Sequence, residues 1–282
     1  MRIFVTGGSG KVGRAAIVAL KHAGHKVVNL DIRPSPDNVH TVIADCADFG
    51  AVMGAFSGVD TLGGMPDAIV HLAGIPMPGL TTDHRAFENN TVSTYNVFSA
   101  CSRLGIRRIV WASSETIMGL PYRVPPDFVP VDETHPDRPG WSYALSKVLG
   151  ETMADNFARW NAAASITSLR FSNVYDAADY ANLPDLHRST ASRKANLWAY
   201  VDARDCGQAC CLAVEKALPG HQRLVIAAAD SIMDVPSADL MAEHYPSVAL
   251  RSDLGRYESL LSSAKARDLI SYVPQFSWRQ AG

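Results

Sequence analysis

The 282-residue chain is predicted to fold as an α/β protein, a doubly wound parallel sheet followed by a small C-terminal lobe. Three observations carry that expectation. Short β-branched runs alternate with helical periodicities as far as residue 171, a glycine-rich turn joins the first run to the first helix, and a carboxylate, Asp31, closes the second run. With 47% hydrophobic and 19% charged residues, the chain can fill the core such a sheet requires.

Residues 2–6 are short and apolar and predict the first strand. Gly7-Gly8-Ser9-Gly10 then turns the chain into Val12, Ala15, Ala16, Val18, Ala19 and Leu20, which recur at helical spacing. Gly24 punctuates, and 26–31 predicts a buried strand ending on Asp31. Further strands are expected at 41–44, 67–72, 107–112 and 165–170, with helices near 83–104 and 141–160 between them. Beyond Arg170 the pattern loosens and Pro184 and Pro219 interrupt it. Residues 1–171 are therefore expected to form a dinucleotide-binding domain, and 172–282 a substrate-binding lobe with segments returning to the main domain. In that second part helices are expected at 204–217 and 259–269 and a strand at 224–227. The loops 75–82 and 176–196, without sustained periodicity, are the ones expected to read the substrate.

Gly7, Gly10 and Gly13 stand three apart, a spaced variant of the turn that lets a backbone approach a pyrophosphate and leaves a helix N-terminus facing negative charge. Such a turn also occurs without a ligand. Here Asp31 follows about 20 residues on, where a carboxylate accepts from a ribose hydroxyl. It also repels a 2′-phosphate, so NAD is expected over NADP, with Lys11 and Arg33 as the cations that favour the latter. Tyr143 and Lys147 stand at i and i+4, where an ammonium lowers the pKa of a phenol and makes it a base near neutral pH. The alternative is an exposed amphipathic pair. Against it, Ser113-Ser114 directly follows a strand, at the carboxyl end where open α/β sheets build their sites, and a serine hydroxyl there can hold a substrate oxygen.

In the order TGGSGKVG at 6–13, Asp31, Asp45, HLAG at 71–74, Asn90, ASS at 112–114, YALSK at 143–147 and LRFSNVY at 169–175, the chain resembles the extended short-chain dehydrogenase/reductases, the NAD-dependent epimerase/dehydratase family. The resemblance covers nearly the whole chain. It implies a Rossmann fold, Ser114 and Tyr143 as catalytic hydroxyls, and Lys147 as the catalytic residue that holds the nicotinamide ribose. It also implies that NAD is met by Gly7, Gly10, Lys11, Val12, Gly13, Asp31, Arg33, Asp45, Cys46, Leu72, Ala73, Gly74, Asn90, Tyr143 and Lys147, with Asp45 beside the adenine. His71 ends a strand, a position more often filled for packing than for chemistry.

Within that family VHLAGI (70–75), RIVWASSETIMG (108–119) and RPGWSYALSKVLGE (138–151) are similar to the uronate dehydrogenases, which oxidise the ring C1 hydroxyl of a hexuronate to an aldonolactone while reducing NAD. That likeness implies Ser113, Ser114, Asn173 and Arg193 as substrate-binding residues. Arg193 stands five residues before Trp198, as does the arginine that meets the substrate carboxylate there. A solvated loop arginine is the bland alternative. Nucleotide-sugar epimerases and dehydratases fit less well: Ile117-Met118-Gly119 stands where they usually carry VYG, Asp176-Ala177 replaces their Gly-Pro, and the small lobe leaves little room for a uridine diphosphate.

Lys and Arg total 26 against 28 Asp and Glu, a net charge of −2, so neither nucleic acid nor an anionic membrane is an expected partner. Cys46, Cys101, Cys206, Cys210 and Cys211 have no CxxC spacing, which argues against a metal site and a disulfide framework. With no signal peptide and no long apolar run expected, the predicted location is cytoplasmic. The helices near 83–104 and 141–160 resemble the pair that forms a four-helix dimer interface in this family. Val92, Tyr95, Val97 and Phe98 add apolar surface there, so a homodimer is expected. The expected function is NAD-dependent oxidation of a sugar or sugar-acid hydroxyl. Its alternatives are a nucleotide-sugar epimerase or dehydratase and a non-catalytic dinucleotide-binding regulator. The last could lose the Ser-Tyr-Lys set that this chain keeps.

Overall fold

Consecutive strands of the main sheet are joined by connections too long for a tight hairpin, so they pair in parallel and the helices cover both faces. The computed structural model describes residues 1–59, 63–76 and 79–280, so residues 77 and 78 of the loop 75–82 lie outside it. The strands are β1 (Arg2–Thr6), β2 (Lys26–Asp31), β3 (Thr41–Ile43), β4 (Ala68–His71), β5 (Arg108–Ser114), β7 (Ser165–Phe171) and β10 (Gly220–Ile226). They form one sheet in the order β10-β7-β5-β4-β1-β2-β3, every pairing parallel. The order in which strands are added reverses between β1 and β4, and the carboxyl ends of the central strands open onto the crevice where such sheets bind ligands.

Strand alternation splits the core in two. Ile3, Val5, Val70 and Val110 face α1 (Lys11–His22), α7 (Ala203–Lys216) and α9 (Ala264–Ile270). Phe4, Ile69, Ile109 and Trp111 face α2 (Phe49–Phe56), α3 (Asp83–Leu104) and α4 (Ser142–Trp160). Helix α2, absent from the sequence-based expectation, is capped by the Asp48 side chain, which accepts from the Ala51 amide. Val97 and Phe98 of α3 are fully buried, so of the surplus apolar surface expected on that helix Val92 and Tyr95 remain exposed.

A third apolar cluster forms the small lobe. It gathers Met118, Leu120, Tyr122, Val129 and Val131 with Tyr175, Leu183, Leu197–Tyr200, Ile232, Met233, Leu240 and Leu261. Paired strands β6 (Phe128–Val129) and β11 (Ala249–Leu250) lie in it, as do α6 (Leu183–Leu186) and α8 (Ser237–His244), and β8 (Val174–Tyr175) pairs β9 (Val201–Asp202) at its border. The lobe thus recruits residues before 171, while α7, β10 and α9 return to the main sheet. The expected helix at 259–269 begins only at Ala264. Before it the chain is held extended: Val131 donates to Leu260 O and Ser262 to Val131 O, both at 2.8 Å, and a helix could not share those amides. The loop 176–196 contains α5 (Ala177–Tyr180), α6 and a 3₁₀ turn at Lys194–Asn196. Among the described residues no helix is long and apolar enough to cross a membrane.

Candidate active site

The turn after β1 is built for close approach. Gly7 has φ +71°, and a Cβ there would lie 2.5 Å from the Ala73 amide; one on Gly13 would lie 2.1 Å from Gly7 O. Gly10 differs, since a Cβ there would meet nothing nearer than 3.4 Å. The protein's own packing does not demand a glycine at that position, whereas a pyrophosphate laid against the turn would. No side chain caps α1 at Gly10, so the amides of Lys11, Val12 and Gly13 are left to an anion. Asp31 faces the same turn: its oxygens accept from Ser9 N at 3.0 Å and Arg33 N at 3.1 Å, with lone pairs to spare for a ribose. These residues fit a dinucleotide.

Lys11 and Arg33, the cations that the sequence offered toward NADP, both flank this turn. The Lys11 ammonium pairs with Asp176 at 3.2 Å and with Asp179, which cap α5 reciprocally, so its charge is already spent across the crevice. The Arg33 side chain is exposed, and its backbone meets Asp31 and Ser9. Asp45 is exposed and closes its own turn on Ala47 N. Cys46 is buried, its thiol pushed up to about 12 by burial, and its carbonyl accepts from Asn96; its amide is what it can offer a ligand. Asn90 clamps the loop after β4, accepting from Ile75 N and donating to Ile75 O, and so steadies the segment that carries Leu72, Ala73 and Gly74. His71 belongs to the packing. Burial and Lys147 hold it down at about 3, hence neutral, and its Nδ1 pairs with Thr6 Oγ1, which also accepts from Ala73 N.

Ser114 ends β5, and Tyr143 and Lys147 rise beside it from the first turns of α4. The Ser114 hydroxyl is a hydrogen-bonding neighbour of the Tyr143 phenol and accepts from Thr116 Oγ1 at 3.0 Å. Lys147 Nζ donates to Ala112 O at 2.7 Å and lies 5.4 Å from the Tyr143 ring centroid. Burial pushes the phenol up to about 12, with Glu115 adding to the rise and Ser114 opposing it. Burial also draws Lys147 down to about 8 against the pull of Glu151. The lowering of the Tyr143 phenol by Lys147 that the sequence suggests is thus opposed by burial.

The reading of Ser113 is corrected. Because β5 runs through Ser114, alternation turns Ser113 to the other face, where its buried hydroxyl donates to Glu151 Oε1 at 2.6 Å. Glu151 also takes Arg170 on both oxygens and Arg223 on one. Both Glu151 and Glu115 escaped the sequence analysis. Glu151 stands four residues after Lys147 and Glu115 directly after Ser114, signals that only their tertiary partners make meaningful.

Arg193 and Trp198, in the loop that the sequence assigned to the substrate and just after it, share one tight turn, with φ +61° and +50°, closed by Trp198 N donating to Arg193 O. The Arg193 Nε and Nη2 are buried and have no hydrogen-bond partner among the described residues. Glu115, beside Ser114, feels the Arg193 charge. Asn173 donates its amide to Glu115 and accepts from Val201 N at 2.9 Å, leaving its carboxamide open. Trp141 packs edge-on against Tyr143 at 6.1 Å and lines a cavity of about 320 Å³ with Tyr122 and Arg138. Another concavity, of about 700 Å³ beside Met1 and Arg108, opens at the far edge of the sheet. So does the trio His25, Cys211 and Glu215, whose ligand atoms lie within 4.8 Å of one another and qualify the expectation that the cysteines form no metal group.

Residues 3–227 match the NAD dependent epimerase/dehydratase family. L-arabinose 1-dehydrogenase (NAD(P)(+)) of Haloferax volcanii is 31% identical over 226 residues, 77% of this chain and 84% of that protein. Uronate dehydrogenase of Pseudomonas syringae pv. tomato is 29% identical over 161 residues, 54% of this chain and 52% of that one. A short-chain dehydrogenase/reductase superfamily protein from Agrobacterium tumefaciens, solved with bound NAD, superposes with a TM-score of 0.75 at 25% identity, covering all of this chain and 94% of that one. With the glycine turn, Asp31 and the Ser114, Tyr143 and Lys147 cluster at the carboxyl edge of a seven-stranded parallel sheet, the chain belongs to the NAD-dependent epimerase/dehydratase family of extended short-chain dehydrogenase/reductases, enzymes that use NAD(P) for dehydrogenation or epimerisation.

Proposed function

We propose that the chain is an NAD-dependent dehydrogenase that oxidises the ring C1 hydroxyl of a sugar acid. Arg193 carries this reading. Nε and Nη2 are the two donors along one edge of a guanidinium, the edge that grips both oxygens of a carboxylate, and here both are buried without a partner among the described residues. Buried donors left unmade cost stability unless a ligand takes them. Ser114 holds the reacting oxygen, Tyr143 takes its proton, and Lys147, fixed by Ala112 O, supplies positive charge beside the phenol. NAD, when bound, accepts the hydride from C1. Gly10, the first-turn amides of α1 and Asp31 would hold it, and the Asp31 carboxylate favours NAD over NADP. The small lobe, built on the cluster around Tyr122 and Trp198, would close over the sugar. Relatives named for L-arabinose and for uronate agree with a compact sugar substrate.

Arg193→Met is expected to raise KM for D-galacturonate by about one to two decades, since a lost charge-assisted pair is worth roughly 1.5–3 kcal/mol. D-galactose, which differs in lacking the carboxylate, should barely respond, and NADH binding should persist. Reduction of NAD and of NADP followed side by side tests the cofactor preference in the same assay. Equal losses on the acid and the neutral sugar would leave Arg193 a structural role and remove the sugar-acid reading.

The reading includes a homodimer through α3 and α4, on which Val92, Tyr95, Leu145 and Trp160 are exposed. Light scattering at micromolar concentration should find twice the 30.4 kDa chain mass. A species of single chain mass alone would remove this part of the proposal.

A further inference from the structure

We infer that Glu115 sets the charge of the substrate pocket, competing with the substrate's carboxylate for the field of Arg193 and so limiting how well the enzyme takes an acid. This rests on the reading of Arg193 given above. Glu115 directly follows Ser114, opens the 3₁₀ turn that the serine caps and is 4% exposed, held by its own contacts. Ser172 Oγ donates to its Oε2 at 2.6 Å and Asn196 Nδ2 approaches Oε1 at 3.4 Å, while the Asn173 amide donates as well. These bonds occupy the carboxyl and keep it from closing a salt bridge on Arg193, whose Nε and Nη2 stay unpartnered. The two charges still feel one another. The site therefore holds a buried guanidinium edge without a partner among the described residues, and a titratable carboxyl within its field.

The charged and titratable groups facing Glu115 are Arg193 from the loop before Trp198, the Tyr143 phenol from α4 and the Tyr122 phenol from the segment after the 3₁₀ turn Glu115–Met118. Burial pushes Glu115 up to about 7, against Ser172, Arg193, Asn196 and Asn173, which favour the ionised form. Below that pH the carboxyl is neutral and Arg193 acts on the substrate alone. Above it Glu115 ionises, offsets part of the guanidinium's field and repels a second carboxylate. The sign follows: KM for an acid rises with pH through the neutral range, while KM for the matching neutral sugar does not follow it.

The test measures KM for D-galacturonate and D-galactose, and for D-glucuronate and D-glucose, from about pH 6 to about pH 8.5 in the wild type, Glu115→Gln and Glu115→Asp. NADH fluorescence titration checks each variant's fold. In the wild type the ratio of acid to neutral KM should climb about tenfold across the range. Glu115→Gln should hold the ratio low and flat, and Glu115→Asp, which keeps the charge, should restore the climb. A flat wild-type ratio overturns the inference even if the glutamine variant does not fold. So does a climb that survives in Glu115→Gln, or an equal loss of both sugars in that variant. If Arg193→Met fails to separate acid from neutral sugar, or neither pair is turned over, the sugar-acid reading falls first. If Arg193→Met separates them and Glu115→Gln leaves the pH course unchanged, the role of Glu115 falls alone.

Discussion

Tyr143→Phe is expected to lower kcat by about 10²–10⁴-fold, the usual worth of a positioned acid–base group, while NADH binding stays near the wild-type value. In the proposed reaction the phenol beside Ser114 accepts the proton, and phenylalanine keeps the ring that packs against Trp141. Fold and cofactor cradle should therefore survive the change. Burial holds the phenol up at about 12, so its ionised fraction, and with it the rate of hydroxyl oxidation, grows as pH rises; the phenylalanine variant should lose that dependence along with its rate. Steady-state NAD reduction gives kcat and fluorescence titration gives cofactor affinity. A variant that keeps near-wild-type kcat across the pH range would sink the assignment, and one that loses NADH binding would show that Tyr143 is needed for the cleft itself.

What was legible in the sequence was local. The strands β1, β2, β4, β5 and β7 each bury a run of apolar or β-branched residues on both faces, and such runs declare themselves without knowledge of their neighbours. Gly7 and Gly13 are readable for the same reason: their constraint comes from backbone a few residues away or in the adjoining strand end. The illegible features depend on distant partners. Lys11 looked like a phosphate ligand, yet Asp176 and Asp179, more than 160 positions along the chain, take its charge. Spacing alone did not separate Ser113 from Ser114; the alternation of β5 does, turning the Ser113 hydroxyl to Glu151. The extended stretch before α9 has helical periodicity, but Val131 claims its backbone groups first. Glu115 is an ordinary-looking residue in the chain, and its meaning arises from Ser172, Asn196 and Arg193, brought to it by β7 and the small lobe.

Glu151→Gln is expected to cost about 3–5 kcal/mol of stability, because it removes one partner from a buried ionic cluster and leaves the others charged. Glu151 is 3% exposed and accepts four hydrogen bonds at once, from Ser113 Oγ at 2.6 Å, Arg170 Nε at 2.9 Å, Arg170 Nη2 at 2.8 Å and Arg223 Nε at 2.8 Å. Glutamine keeps the shape but has one acceptor oxygen, and its NH₂ would face an arginine donor. Arg170, itself 2% exposed, would retain the half-exposed Asp137 at 3.2 Å, a weaker counter-charge. Arg170 and Ser113 hold Glu151 below the usual carboxylate range in spite of its burial. Its contribution is thus fully present above the ordinary glutamate pKa and is lost as pH falls through the lowered one. The melting temperature near neutral pH should drop by roughly 10 °C, with the gap between variant and wild type narrowing as the solution is acidified. The change also reaches the site, for Glu151 is the group that sustains the Lys147 charge against burial. Without it the ammonium should lose its proton at a pH below about 8, and the pH optimum of NAD reduction should move down with it. A melting temperature within about 2 °C of wild type would mean that water or Asp137 replaces the lost oxygen, and the cluster would then be a passive feature of the core.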